Sequence, residues 1–401
     1  MGVPILAIDP LLAGDIGLDE VLIVLLKVLV TFALLLVSVL FMIWFERKVH
    51  ADMSNRLGPN RAGPFGMLQT LADGIKLFFK EQTIPDSADR FVFRLAPYLS
   101  VLPAFLAFSI IPIGGEVSIL GHQTYLQLAD PPIGILFLLA MSSIAVYGVM
   151  LAGWSSGSKY PLLGAVRASA QMVSYEAALG LSVVAVVLLA GSLSTHDIVL
   201  TQAGEGYLGV IPRWNLIVTG VVPFVIFLIA GTAELNRPPF DLVEAEQELV
   251  GGFHTEYSSI RFALFFLAEF MNVVTMSAII VTLFLGGPAG PTFFGPDWIW
   301  GPLWFLAKLL IFLFVFVWFR ATLPRFRYDQ LMDLGWKVLI PLSLGWMLLL
   351  ASLNIARDRE WNPVVVVAIG IAAIVVSYLL LSTAIRTAHR RRELSDEEVF
   401  A

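Results

Sequence analysis

The chain is 401 residues long, 58% hydrophobic and only 14% charged, with a formal net charge of −6. That balance excludes an ordinary soluble domain and supplies no basic excess for nucleic acid. Cysteine is absent, which removes disulfides, cysteine-ligated iron–sulfur clusters and thiol nucleophiles at once.

The first twenty residues hold Asp9, Asp15, Asp19 and Glu20 but no Lys or Arg. A secretory signal peptide begins with basic residues, so 1–20 is expected to be an acidic N-terminus on the external side. Apolar stretches long enough to cross a bilayer then recur at roughly 21–45, 95–113, 133–153, 168–191, 214–233, 262–286, 302–320, 337–353 and 363–385. The fold class this predicts is all-α: a polytopic membrane helical bundle of about nine transmembrane helices, with long cytoplasmic loops containing short amphipathic helices. Helices are required because each satisfies its own backbone hydrogen bonds inside lipid. Inverted repeats of the transporter kind are not evident. With the N-terminus outside, twenty Lys and Arg fall in 46–94, 154–174, 234–261, 320–337 and after residue 385, against three on the other side, Arg213, Arg357 and Arg359. Such an excess marks the cytoplasmic side.

The first cytoplasmic loop, 46–94, opens with FERKVHADMSNRLGPNRAGPFG, where Gly58, Pro59, Gly63, Pro64 and Gly66 demand a tightly turned backbone. MLQTLADGIKLFFKE, 67–81, follows as an amphipathic helix, with Leu68, Leu71, Ile75 and Phe78 on one face and Gln69, Asp73, Lys76 and Lys80 on another. Its polar stripe either lies solvated at the lipid surface or lines a cavity.

In the second loop, 154–174, Arg167 stands at the membrane edge, and Glu176 lies nine residues further into the fourth span. A carboxylate at that depth is expected to face the bundle interior or an aqueous path, unless it only forms an ion pair with Arg167. The third loop, 234–261, begins AELNRPPFDLVEAEQELVGGF and sets Glu234, Asp241, Glu244, Glu246 and Glu248 around the lone Arg237. Pro238 and Pro239 should end any helix leaving span five. Asp241, Glu244 and Glu248 should then share a helical face, crowded enough to raise some carboxyl pKa values and suit proton exchange. Glu269 enters the next span to a depth similar to Glu176. The fourth loop, 320–337, is cationic through Arg320, Arg325, Arg327 and Lys337. The five histidines lie in loops or tails, so a haem-carrying bundle is not expected, and neither a dinucleotide fingerprint nor a Walker loop is present.

All four loops, in order, resemble those of one family. ERKVHADMSNRLGPNRAGPFGMLQTLADGIKLFFKE, KYPLLGAVRASAQMVSYE, AELNRPPFDLVEAEQELVGGFHTEYS and RATLPRFRYDQLMDLGWK are similar to the H-subunit family of proton-pumping NADH-quinone oxidoreductase (respiratory complex I), which includes mitochondrial NADH dehydrogenase subunit 1. The resemblance implies a membrane subunit that forms a quinone chamber with peripheral subunits and couples quinone reduction to proton translocation. On matching positions it implies Glu46, Arg47, Arg56, Asp73, Lys76, Arg320 and Arg325 for the chamber. It implies Glu176, Glu234, Asp241, Glu244, Glu246, Glu248 and Glu269 for the proton path, and no catalytic residue or metal in this chain alone. The implied substrate is a quinone, menaquinone or ubiquinone; NADH, FMN and iron–sulfur clusters belong to partner subunits.

The expected division is therefore a membrane core at 21–353, an additional C-terminal span at 354–385 and a charged cytoplasmic tail at 386–401. That extension points to a bacterial inner membrane. Rival readings are a related subunit of a proton-pumping hydrogenase or F420-type dehydrogenase, a stand-alone secondary transporter using Glu176 and Glu269, and a passive anchor.

Overall fold

The computed structural model describes residues 9–12, 17–204, 213–243, 246–292 and 296–359, with scattered positions between 362 and 387. Its architecture is helical apart from one short hairpin. In chain order come α1 (Leu18–Met53), α2 (Gln69–Phe79), α3 (Arg90–Phe108), the strands β1 (Glu116–Ile119) and β2 (His122–Tyr125), then α4 (Gly134–Ser155), α5 (Lys159–Ala190) and α6 (Thr195–Gln202). α7 (Asn215–Val218), α8 (Val221–Glu234), α9 (Glu246–Leu249), α10 (Ser259–Phe284), α11 (Asp297–Thr322), α12 (Tyr328–Asp333) and α13 (Ile340–Asp358) follow.

Seven of the described helices are long and apolar enough to cross a membrane, α12 and α13 counting as one continuous span, and the shorter α8 makes an eighth apolar segment. The protein is thus a multi-pass membrane bundle. Of the ninth expected span, 363–385, the described positions (364–365, 367–372, 375–376, 378–379 and 382–383) are all helical, whereas the tail 386–401 falls outside the described residues except for residue 387.

α1 starts with Asp19 and Glu20 in its first turn, where carboxylates oppose the helix dipole favourably. The Glu20 carboxylate accepts the Gly17 N–H at 2.8 Å. At 36 residues and about 1.5 Å per residue, α1 outruns a bilayer and carries Glu46 and Arg47 beyond the apolar stretch. Its sides are exposed at Leu29 and Val37, as a lipid-facing helix requires. α10 is its opposite: 72% of its apolar window is buried, against 11% for α1, so α10 is the central post of the bundle. Met271, Val274, Ala278, Ile280, Leu283 and Phe284 fill the core around it.

Two spans depart from a plain helix for identifiable reasons. Span five breaks between α7 and α8, where Gly220 has φ +81° and a Cβ would approach Trp346 to 2.9 Å. Trp346 Nε1 donates to the freed Thr219 carbonyl at 2.8 Å, so the break leaves that acceptor satisfied inside the bundle. Span eight passes through a π-helical stretch, Leu334–Leu339, just before Pro341. Proline lacks the donor an α-turn needs, and the wider turn absorbs the mismatch.

The two ends of the bundle differ. One carries β1 and β2, joined through Leu120 and Gly121 at φ +52° and +87° in a tight two-residue turn. The other, the platform end, carries the loops 54–68, 235–258 and 323–327. Trp44 Nε1 donates to the Phe65 carbonyl at 3.0 Å and Lys48 to Asn60 at 2.6 Å, which fold the Gly/Pro-rich loop back on α1. Gly66 fits there because a Cβ would lie 2.2 Å from the Pro59 carbonyl oxygen.

Candidate functional site

The site is organised around Arg237. α8 ends at Glu234, ahead of the Pro238–Pro239 pair, and Asn236 turns the chain with φ +52°. Gln171 on α5 fixes that turn: its amide donates to the carbonyls of Ala233 (2.8 Å) and Phe240 (3.0 Å) and to Asn236 (3.1 Å). The turn sends Arg237 inward, where it is only 6% exposed.

There its Nη1 donates to both carboxylate oxygens of Glu46, at 3.0 and 3.2 Å. Nη2 lies 3.1 Å from Glu269, off the N–H direction, so this is charge pairing rather than a hydrogen bond. Arg320 also pairs with Glu46. The guanidinium sits 4.5 Å from the centre of the Phe270 ring, which adds a cation–π contact. Two carboxylates from α1 and α10 thus meet two guanidiniums, one from the α8–α9 connection and one from α11. Opposite charges balance, which is how buried ions are tolerated.

Deeper in the bundle, Glu176 on α5 and Glu234 on α8 are bound through adjacent residues of α4. Ser143 donates to Glu176, and Ser142 donates to Glu234. Glu234 and Glu269 line one cleft of about 630 Å³, together with Ser100, Asn236, His254 and Asn272. A second cavity of about 590 Å³ shares Glu234, Ala145, Met172, Leu235 and Asn272 with the first and runs further along α10. Glu234 therefore stands where the two spaces meet.

Nearer the surface, Asp241 pairs with Arg325 at 2.7 Å, Glu248 with Arg167 at 2.6 Å, and Asp73 with Arg47 at 2.7 Å. Gln69 adds a 3.2 Å hydrogen bond to Asp73. Arg56 and Lys76 stand exposed. Tyr257, stacked on Phe93 with ring centres 4.0 Å apart, donates to the Phe93 carbonyl at 3.1 Å. Burial pushes its phenol up to about 12, so it remains a donor at neutral pH.

One expectation from the sequence is corrected, and one alternative is set aside. Asp241 does not share a helix with Glu248: residues 241–243 are non-helical and α9 spans only Glu246–Leu249. Asp241 and Glu248 are instead drawn to cations on other loops, Arg325 and Arg167. Nor does Arg167 pair with Glu176; it meets Glu248 and lies 5.7 Å from the Tyr328 ring centre, while Glu176 takes Ser143. Glu244 and the side chain of Glu246 lie outside the described residues. Arg237, Gln171, Ser142 and Ser143 were not among the expected site residues. Arg237 carried a signal, as the one cation in a stretch with five carboxylates; an SS pair in an apolar span carried almost none.

Residues 26–351 match the family described as NADH dehydrogenase. The chain is similar to the H subunit of NADH-quinone oxidoreductase from Frankia alni, 55% identical over 377 residues that cover 92% of this chain and 82% of the relative. It is similar to the corresponding protein of Streptomyces avermitilis, of the same name, at 50% over 355 residues, 86% of this chain and 76% of that one. That of Cutibacterium acnes is 48% identical over 370 residues, 88% and 83%.

Proposed function

The chain belongs to the H-subunit family of NADH-quinone oxidoreductase, and from that premise we propose that it forms the membrane wall of a quinone chamber and passes protonation changes from that chamber into the bundle. As one part of a multi-subunit oxidoreductase it works with other subunits and is not an enzyme alone.

The observation that carries the reading is the linkage at Arg237. One guanidinium joins Glu46 to Glu269, and Glu269 shares its cleft with Glu234. A change of charge at Glu46, buried at the platform end, is therefore felt, one partner at a time, by carboxylates deeper in the bundle. Protonating Glu46 would free Arg237 to hold Glu269 more strongly, and that exchange of partners couples two sites.

The chamber residues are Glu46, Arg47, Arg56, Asp73, Lys76, Arg320 and Arg325. A quinone needs apolar walls for its ring and tail and polar groups for its carbonyls. α2 has an exposed apolar face at Leu71, Ile75 and Phe78 beside the Arg47–Asp73 pair, which fits that demand. The side chains of Arg47, Arg320 and Arg325 are all more than 40% exposed, the state of a wall that partner subunits complete. Those partners would carry the NADH site, FMN and iron–sulfur clusters; this chain has no cysteine with which to bind such a cluster.

The proton path comprises Glu176, Glu234, Asp241, Glu244, Glu246, Glu248 and Glu269, within a membrane core at 21–353. We place the platform end in the cytoplasm of a bacterial inner membrane, with 1–20 outside and 386–401 inside, on the strength of the charge asymmetry.

The test is Glu269→Gln and Glu176→Gln, assayed for NADH-driven quinone reduction and acidification in membrane vesicles and normalised to assembled complex. An amide of the same shape can hydrogen-bond but cannot exchange a proton as a carboxyl does. Both variants should assemble and lose most proton-coupled turnover; full pumping by both would sink the proton-path reading.

A further inference from the structure

α10 carries four hydroxyl side chains, and three have partners. Ser259 donates to the carbonyls of Leu77 and Lys80, Ser277 to Val273 and Thr282 to Ala278. The last two are the usual arrangement, in which a buried helical hydroxyl bonds the carbonyl four residues back. Thr275 departs from it. Its side chain is on a residue only 4% exposed, and its oxygen has no hydrogen-bond partner in the protein. A buried hydroxyl left this way is costly, so its orientation needs a reason.

The cavities supply one. Thr275 lines the second cavity together with Glu234, Ser142 and Asn272. Glu269, Asn272 and Thr275 follow one another at three-residue steps on α10, which keeps them near one face of the helix. At 1.5 Å per residue, Thr275 lies about 9 Å further along the helix than Glu269, deeper than the cleft those carboxylates share. Beyond it the lining turns apolar: Leu138 and Ile279 border both the second cavity and a third, smaller space of about 220 Å³. A buried water needs room and two to four polar partners. Thr275, Asn272 and Glu234 provide them where the polar lining ends.

We infer that Thr275 is a positioning residue that holds a water beside Glu234 on the side away from the platform, and that this water receives the proton Glu234 releases. The inference rests on the carboxylate-chain reading above. In the step, the Glu234 O–H bond breaks as a new O–H bond forms on the water, and the water gives one of its own protons to a further water that enters between Leu138 and Ile279, so that it ends neutral. The resulting carboxylate then takes a proton from the Glu269 side, and no electron changes hands. Without that further water Leu138 and Ile279 close the polar space beyond, so the proton does not run freely to the far side of the membrane.

The experiment compares Thr275→Val, which keeps the shape and deletes the hydroxyl, with Thr275→Ser, which restores it. Ser277→Ala is the control, since that hydroxyl is already bonded to its own helix. All are measured in the whole complex in vesicles, as acidification per NADH oxidised and as turnover. Thr275→Val should lower NADH-driven acidification by roughly three- to tenfold, the loss of one hydrogen bond in a transfer step, with recovery in Thr275→Ser and no change in Ser277→Ala. Glu234→Gln in parallel separates the two claims. If Glu234→Gln fails to pump while Thr275→Val pumps normally, the water site is refuted and the carboxylate path stands. If Glu234→Gln itself pumps normally, both fall.

Discussion

Arg237 is buried against two carboxylates and an aromatic ring, so truncating it does more than delete one contact. Arg237→Gln leaves Glu46 with Arg320 alone and Glu269 without its guanidinium, inside a low-dielectric bundle. Breaking a buried pair by removing one partner costs about 3–5 kcal/mol. The expected outcome is a lower thermal unfolding temperature of the purified complex and less of it in the membrane. Arg237→Lys should recover little, because a single ammonium nitrogen cannot hold Glu46 and reach Glu269 at once, as the two guanidinium nitrogens do. Equal stability of wild type and Arg237→Gln would show that Arg320 alone balances the site. Surface pairs differ in kind. Arg167–Glu248 is half in solvent, and its loss should hardly move stability.

At the scale of elements, α2 and the connection 285–289 illustrate two ways of fixing a segment. The connection is held by Lys308, which reaches from α11 to donate to the carbonyls of Leu285, Gly287 and Ala289 at 2.7–2.9 Å. All three ammonium donors are used, which accounts for a lysine within an apolar span. α2 is held more lightly. Its polar stripe meets α1 through Arg47–Asp73, and both side chains keep about a third or more of their exposure. Such a pair contributes roughly 0.2–1 kcal/mol. Asp73→Asn should therefore leave assembly intact, slow quinone reduction and alter inhibitor sensitivity. Electron transfer from NADH to a hydrophilic artificial acceptor should stay unchanged, since that acceptor bypasses the proposed quinone chamber. Normal quinone reduction by Asp73→Asn would make α2 a plain interfacial helix.

For the whole molecule, the arrangement of charge predicts which end faces which compartment. Ser87 is exposed at the platform end, in the connection before α3, and Thr292 is exposed in the connection before α11. Because the chain has no cysteine of its own, Ser87→Cys and Thr292→Cys provide single labelling sites. In intact cells a membrane-impermeant thiol reagent should label residue 292 and leave residue 87 untouched. Labelling at 87 but not at 292 would invert the topology inferred from positive charge.

Much of this protein was legible as sequence because the physics concerned is local or statistical. A bilayer rejects unpaired backbone groups, so the nine apolar segments were expected to be helices whatever they packed against. The Pro238–Pro239 pair had to end α8, and the period of Leu68, Leu71, Ile75 and Phe78 had to give an amphipathic α2. Carboxylates deep in spans, Glu176 and Glu269, marked themselves by their cost. Partnership was not legible, because it depends on three-dimensional reach. Glu46 and Arg237 are 191 residues apart, and no period links them. Asp241 and Glu248 read as a crowded acidic face, yet each had an arginine waiting on another loop. Ser142, Ser143 and Thr275 are ordinary residues for an apolar span until neighbouring helices bring carboxylates and a cavity to them. Sequence alone determined which segments enter the membrane and which residues are too expensive to be there without a purpose. Only the tertiary structure decided which charges meet, because a burial cost is a property of one residue and its compensation requires the approach of another.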